Sequence, residues 1–191
     1  YSSALDTAEE AGIPRSMLPT IQSSSEVYGK LVASSADGGA FAVPEQIVGD
    51  GFVLRALLPS DAAAMFDYLR RPEVFEATSS GGWTREAVDE FVRSNAEGMI
   101  GSRWCRYAIV PGGAAALAGD IGFGSIDIRN RRAEIGYHLA PESWGRGLMT
   151  RAVGALNAWA FPRPPHRTQA PVLEGNLPSE RFTQRSGCTR E

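Results

Sequence analysis

The run Glu134-Ile135-Gly136-Tyr137-His138-Leu139-Ala140-Pro141-Glu142-Ser143-Trp144-Gly145-Arg146-Gly147-Leu148-Met149-Thr150 holds the residues best suited to chemistry. It reads as a strand, a short glycine-bearing loop and the first turn of a helix. A helix that starts at such a loop leaves backbone N–H groups without intrahelical partners, and its dipole favours negative charge there. The chemistry this suits is the binding of phosphate oxygens, above all the pyrophosphate of a nucleotide-like ligand. Glu134, on the strand that feeds the loop, is a carboxylate of the type that takes a proton from a reacting group beside such a ligand. Arg146 and Arg151 add positive charge to the same segment.

Placing that loop requires a sheet before it and a helix after it. Residues 132–139 predict the strand and residues 148–161 the helix, with Val153, Leu156, Ala160 and Phe161 among its apolar positions and Pro162 ending it. Upstream, residues 52–57 predict a strand, and Pro59-Ser60-Asp61 introduces a helix on which Ala64, Met65, Tyr68 and Leu69 recur at helical spacing. Thr84 starts a second helix with Ala87, Val88, Phe91 and Val92 on one face. Residues 106–110 and 118–128 are further strands, the latter joined to 132–139 through Arg129-Asn130-Arg131, so that these three form an antiparallel meander. An extended stretch over 168–174 and a short helix from Ser179 close the chain. The order predicts an α/β fold with a mixed, mostly antiparallel sheet and flanking helices. Residues 1–48, rich in Ser, Ala and Gly, predict a flexible leader before a domain over 49–191.

The totals exclude several classes. The chain has 191 residues, 43% hydrophobic and 21% charged, which suits one globular domain with additional sequence. A net charge of −3 argues against a nucleic-acid partner, although Arg163, His166, Arg167, Arg181, Arg185 and Arg190 cluster late and place an anion site toward the C-terminal side. Cys105 and Cys188 have neither a neighbouring cysteine nor a histidine pair at ligand spacing, so no metal site is expected. Their small number and wide separation favour a reducing compartment, hence the cytoplasm. No apolar run reaches the ~18 residues of a membrane span, and no membrane partner is expected. Beginning at Tyr1, the chain reads as processed or excerpted at that end.

Trp144-Gly145-Arg146-Gly147-Leu148-Met149-Thr150 resembles the pyrophosphate loop of the GCN5-related N-acetyltransferases (GNATs), whose pattern is Gln/Arg-x-x-Gly-x-Gly/Ala; Gly147 matches the first glycine. Downstream, Asn176-Leu177-Pro178-Ser179-Glu180-Arg181-Phe182-Thr183-Gln184-Arg185-Ser186-Gly187-Cys188 is similar to that family's closing motif. That motif has an Asn, a small residue three positions later and Gly-Phe at the end of a short helix. Glu134-Ile135-Gly136-Tyr137, Trp144-Gly145 and Phe52-Val53-Leu54-Arg55 with Asp61 look closest to the RimJ/RimL-like branch, which acetylates ribosomal-protein N-termini. The resemblance covers roughly residues 50–191.

The resemblance implies the GNAT fold and transfer of an acetyl group from acetyl-CoA to a primary amine, on a protein N-terminus or a small molecule. It implies that Trp144, Gly145, Arg146, Gly147, Leu148, Met149 and Thr150 cradle the pyrophosphate and that Asn176 binds the pantetheine arm. Backbone N–H groups near Tyr137, His138 and Leu139 would hold the thioester oxygen, Glu134 would act as base, and Ser179 would return a proton to the leaving thiolate. Structural roles compete: Ser179 also reads as a helix N-cap, His138 as an outward strand residue, Asp61, Asp120 and Asp127 as capping or turn residues, and Trp83 and Trp104 as core. Met149 replaces the second Gly/Ala, so its side chain either crowds the pyrophosphate or packs into the helix interior. Thr183 and Cys188 replace a tyrosine and a phenylalanine of the family. The family continues with two more strands beyond this point, so the fold is expected to be incomplete at the C-terminus. A bare edge over 168–174 would then favour a homodimer. The alternative reading is a CoA-binding module of weak or no activity, or a truncated gene product.

Overall fold

The computed structural model describes residues 44–76, 82–98, 105–127, 132–160 and 167–190. Among them, β1 (Gln46–Gly49), β2 (Phe52–Ala56), β3 (Cys105–Pro111), β4 (Gly119–Asp127), β5 (Arg132–Leu139) and β6 (Arg167–Gln169) lie in that order in one sheet. Each pair from β1 to β5 is antiparallel, and β6 runs parallel to β5. The helices are α1 (Ala62–Leu69), α2 (Pro72–Phe75), α3 (Arg85–Gly98), α4 (Leu148–Ala160) and α5 (Leu177–Arg185). This is the mixed, mostly antiparallel α/β architecture expected from the sequence. The leader residues 1–43, Trp104, the turn 129–131 and the end of the helix at Phe161 and Pro162 lie outside the described residues.

Strand alternation gives the sheet two working faces. Phe52, Leu54, Tyr107, Ile109, Ile121, Phe123, Ala133 and Ile135 face one core, closed by Leu148, Met149, Ala152, Val153 and Leu156 of α4 and by Phe182 of α5. Ala108 and Val110 face the opposite core, built with Met65, Tyr68 and Leu69 of α1 and with Val88 and Val92 of α3. The residues between them in the alternation, Arg106, Asp120, Glu134 and His138, therefore belong to the face covered by α1 and α3.

The short helix α2 has no counterpart in the sequence reading, and three element boundaries differ from it most. Residues 46–48, read as leader, form β1: Asp50-Gly51 closes a two-residue hairpin with Gly51 at φ +74°, and Gln46 pairs with Arg55. The run is too short to announce itself by alternation; it is held by Ile47 against the core and by the Tyr107 hydroxyl donating to Pro44 O at 2.8 Å. The extended stretch expected over 168–174 pairs only as Arg167–Gln169. The last helix starts at Leu177 rather than Ser179, because Asn176 Oδ1 accepts from Ser179 N at 3.1 Å and Pro178 occupies the first turn. Asn176, not Ser179, is the N-cap. The same helix ends where Gly187, at φ +83°, lets Gly187 N reach Gln184 O and Cys188 N reach Thr183 O.

Candidate active site

The loop after β5 has the expected form. Ala140 N donates to Ala118 O at 2.8 Å, a one-turn helix follows over Pro141–Ser143, and Trp144 Nε1 donates back to Leu139 O at 2.8 Å. Gly145 and Gly147 both take positive φ, +73° and +69°, which L side chains resist. The helical ladder of α4 opens with Arg151 N donating to Gly147 O at 3.1 Å. The amides of Leu148, Met149 and Thr150 precede that bond and so have no intrahelical acceptor. Met149 is buried in the core between sheet and α4, which resolves its two alternatives: its side chain packs inward and leaves its amide clear. Arg146 is exposed, whereas Arg151 is engaged locally: its Nε donates to Asp50 O and its Nη1 to Arg146 O, each at 3.2 Å. Arg151 thus ties the loop to the β1–β2 turn.

A second feature lies beside the loop. β6 pairs with β5 only at Arg132, Ala133 and Glu134. Beyond Glu134, β5 continues to Leu139 with no strand paired on that side among the described residues. The Ala140–Ala118 bond sets the alternation along β5: His138 exchanges its backbone bonds with β4, whereas Tyr137 and Leu139 direct their N–H groups to the open edge. Of the residues 137–139 assigned to thioester binding, Tyr137 and Leu139 have backbone donors there, and the His138 amide does not.

Across that edge stands α5. The Tyr137 ring meets Phe182 edge-on, with centroids 4.8 Å apart, and the Ser179 side chain is near enough to temper the effect of burial on its phenol. Burial pushes the Tyr137 phenol up, so it keeps its proton at neutral pH. Asn176 spends its side-chain oxygen on the cap of α5. The structure thus ties the loop to Leu139 through Trp144 and packs Tyr137 of β5 against Phe182 of α5. Glu134 stands apart on the other face: it is exposed, accepts from the Ser125 hydroxyl at 3.2 Å, and lies where the sheet is closed by Gln169 of β6.

That other face holds a polar cluster that the sequence reading missed. Asp120, read as a capping or turn residue, lies in mid-strand and is fully buried. Its Oδ2 accepts from the Tyr68 hydroxyl at 2.9 Å, its Oδ1 from Arg106 Nε at 2.6 Å, and both oxygens lie within 3.2 Å of His138 Nδ1. Burial alone would raise the Asp120 pKa; Arg106, then His138 and Tyr68, outweigh it and hold the carboxyl well below the usual range. Burial, reinforced by Asp120, pushes the Tyr68 phenol up, so it remains the donor. Arg106 reaches this position because Gly122 and Gly136, paired across β4 and β5, leave room for it. A Cβ on Gly136 would stand 2.7 Å from Arg106 Nη1, and one on Gly122 would meet the Cys105 carbonyl oxygen at 1.9 Å before Arg106 Cδ at 2.9 Å. Trp83 and Phe91 wall the cluster, with Trp83 edge-on to the imidazole at 5.9 Å and Arg106 over the Phe91 ring at 5.5 Å. The available signal was weak: an acidic residue and a histidine at inward positions of two adjacent strands, meaningful only once their register is known.

The sequence pattern of the acetyltransferase (GNAT) domain matches residues 52–189. Two relatives are similar over most of their length. The uncharacterized N-acetyltransferase p20 of Bacillus licheniformis is 29% identical over 141 residues, which is 71% of this chain and 77% of that protein. The uncharacterized N-acetyltransferase YoaA of Bacillus subtilis is 27% identical over 146 residues, 74% of this chain and 81% of that protein. Among solved structures, RimL, a ribosomal L7/L12 alpha-N-protein acetyltransferase in complex with coenzyme A, superposes with a TM-score of 0.67 at 23% identity. That superposition covers 77% of this chain and 85% of RimL, and it speaks to the fold.

Proposed function

Since this chain belongs to the acetyltransferase (GNAT) family and is an N-acetyltransferase, we propose that it moves the acetyl group of acetyl-CoA directly to a primary amine, on a protein N-terminus or a small molecule. One observation carries the reading: a positive-φ glycine loop at the N-terminus of α4 opens beside the stretch of β5 that β6 leaves unpaired. Free helix amides and a free strand edge suit the two ends of one ligand, a pyrophosphate and a thioester carbonyl.

In this reading Trp144, Gly145, Arg146, Gly147, Leu148, Met149 and Thr150 form the wall of the pyrophosphate site, mainly through backbone. Met149 fits because its side chain is buried away from the loop. The N–H groups of Tyr137 and Leu139 are the donors for the thioester oxygen, on which charge grows in the transition state. Asn176 shapes the pantetheine channel as the cap of α5. Ser179 supplies a proton to the departing thiolate, and the protonated Tyr137 phenol nearby can replace it. RimL is a protein N-terminal acetyltransferase, and its likeness favours a protein N-terminus among the possible acceptors.

The test is release of free CoA thiol from acetyl-CoA in the presence of a panel of peptide N-termini and small primary amines, with mass detection of the acetylated product. Amine-dependent thiol release with a matching amide product is expected. Tight CoA binding without product from any amine would instead identify a binding module.

A further inference from the structure

Building on the acetyl-transfer reading above, we propose that His138 is the general base that takes the proton from the acceptor amine, with Asp120 as the positioning residue that fixes its imidazole. His138 lies between Tyr137 and Leu139, the two residues whose N–H groups face the open edge of β5. Its ring projects onto the opposite face, against Trp83. An amine that approaches the thioester from the α1–α3 side meets that ring first.

Arg106 Nη2 and Asp120 both approach His138 Nδ1, and the closer of the two, Asp120, is taken to set the tautomer. Asp120 is an ionised carboxylate and can only accept, so the hydrogen of His138 sits on Nδ1, 3.0 Å from Oδ2. Arg106 Nη2 is 3.2 Å from the same nitrogen but is itself only a donor, so it cannot take that hydrogen. The imidazole lone pair is therefore on Nε2, on the side of the ring away from Asp120. Arg106 matches the charge of Asp120 through its 2.6 Å bond. The His138 side chain retains 11% exposure while Asp120 retains none, so the base can be reached and its anchor cannot. Arg106, Asp120 and Tyr68 are the titratable and charged groups that face the ring from β3, β4 and α1; Phe91 on α3 and Trp83 just before it are neutral. Glu134 shares this face but lies about 13 Å along β5 at ~3.3 Å per residue, beside paired β6 rather than the open edge.

The protons balance. The acceptor ammonium gives one proton to His138 Nε2, and the freed nitrogen lone pair forms the C–N bond to the thioester carbon. The second proton leaves that nitrogen for solvent as the C–S bond breaks and its electron pair goes to sulfur; the CoA thiolate takes a proton from Ser179, whose hydroxyl is restored from solvent. The imidazolium returns its proton to solvent.

The test compares wild type, His138→Asn and Glu134→Gln in steady-state thiol release from weakly acid to alkaline pH, with CoA affinity measured by calorimetry. Asn Nδ2 can still donate to Asp120, so the cluster stays satisfied while the base is gone; His138→Gln is the second variant should the first fold poorly. The expected result is a fall in kcat of about 10²- to 10⁴-fold at neutral pH with CoA affinity kept. The acid limb of the kcat/KM profile disappears, and the deficit shrinks for weakly basic amines that are already neutral. A merely structural histidine would give neither the lost limb nor that dependence on amine basicity. An active wild type whose His138→Asn variant keeps rate and limb, or in which the limb is lost only in Glu134→Gln, overturns the proposal alone. A wild type that neither binds CoA nor releases thiol overturns the acetyl-transfer reading and this proposal with it.

Discussion

Asp120 and His138 stand opposite one another on adjacent antiparallel strands, with Nδ1 of the imidazole 3.0 Å from Oδ2 of a carboxylate that solvent does not reach. The pair converts a stretch of sheet into a polar site. It also makes the stability of the domain depend on a fully buried carboxylate.

Asp120→Asn should destabilise the fold by about 3–5 kcal/mol at neutral pH, since it leaves Arg106 without its buried counter-charge. The pH dependence has a definite sign. The folded-state pKa of Asp120 is depressed, so its contribution is complete above the unfolded value of about 3.9 and is lost as pH falls through the folded one. Urea unfolding of both proteins at pH values on either side of that point checks this. The gap between them should narrow in acid; a constant gap would rule out an ionised Asp120 as the source of the stability.

Gly136→Ala should displace Arg106, because the new Cβ would lie 2.7 Å from Nη1, the movable end of a long side chain. The backbone can remain as it is, so the expected result is a folded protein with reduced acetyl transfer and a smaller loss of stability than in Asp120→Asn. Thermal melting and thiol release measured on the same preparation separate the two effects. Intact activity would mean that Arg106 is dispensable to the cluster.

Gly147→Val should weaken CoA binding by at least about tenfold while far-UV circular dichroism stays native. The φ of +69° at Gly147 costs a β-branched residue roughly 1–2 kcal/mol, and relief of that strain moves the amides that face the ligand. Calorimetric titration with CoA gives the answer directly. Unchanged affinity would detach the loop from the pyrophosphate.

Asn176→Ala should cost about 1 kcal/mol through loss of the cap on Ser179 N. Asn176→Asp keeps a side-chain oxygen acceptor and should restore the stability. Chemical denaturation of the three proteins tests the cap. If the aspartate variant regains stability but not CoA affinity, Asn176 also touches the ligand.

Much of the fold was legible because its signals are local. Alternation marks β2 to β5, helical spacing marks α1, α3 and α4, and the glycines mark the loop before α4. The failures share a cause. β1 is short and exists through pairing with β2, β6 shrinks to the part β5 can reach, and α5 is capped by Asn176, whose side-chain oxygen accepts from Ser179 N, rather than by the serine. Each was decided by a partner distant in the chain or by competition between neighbouring caps.

The site divides in the same way. The sequence by itself determined the loop before α4, since Gly145 and Gly147 permit a backbone that few other residues can adopt, and it determined the family to which the chain belongs. Only the tertiary structure decided that Met149 points inward, that Arg151 ties two turns together, and that Glu134 lies beside paired β6. It alone decided that Arg106, Asp120, His138 and Tyr68 form one cluster. These residues come from three strands and a helix, and a one-residue change of register would turn each strand residue to the other face. Sequence spacing carries no record of that register; the packed sheet does.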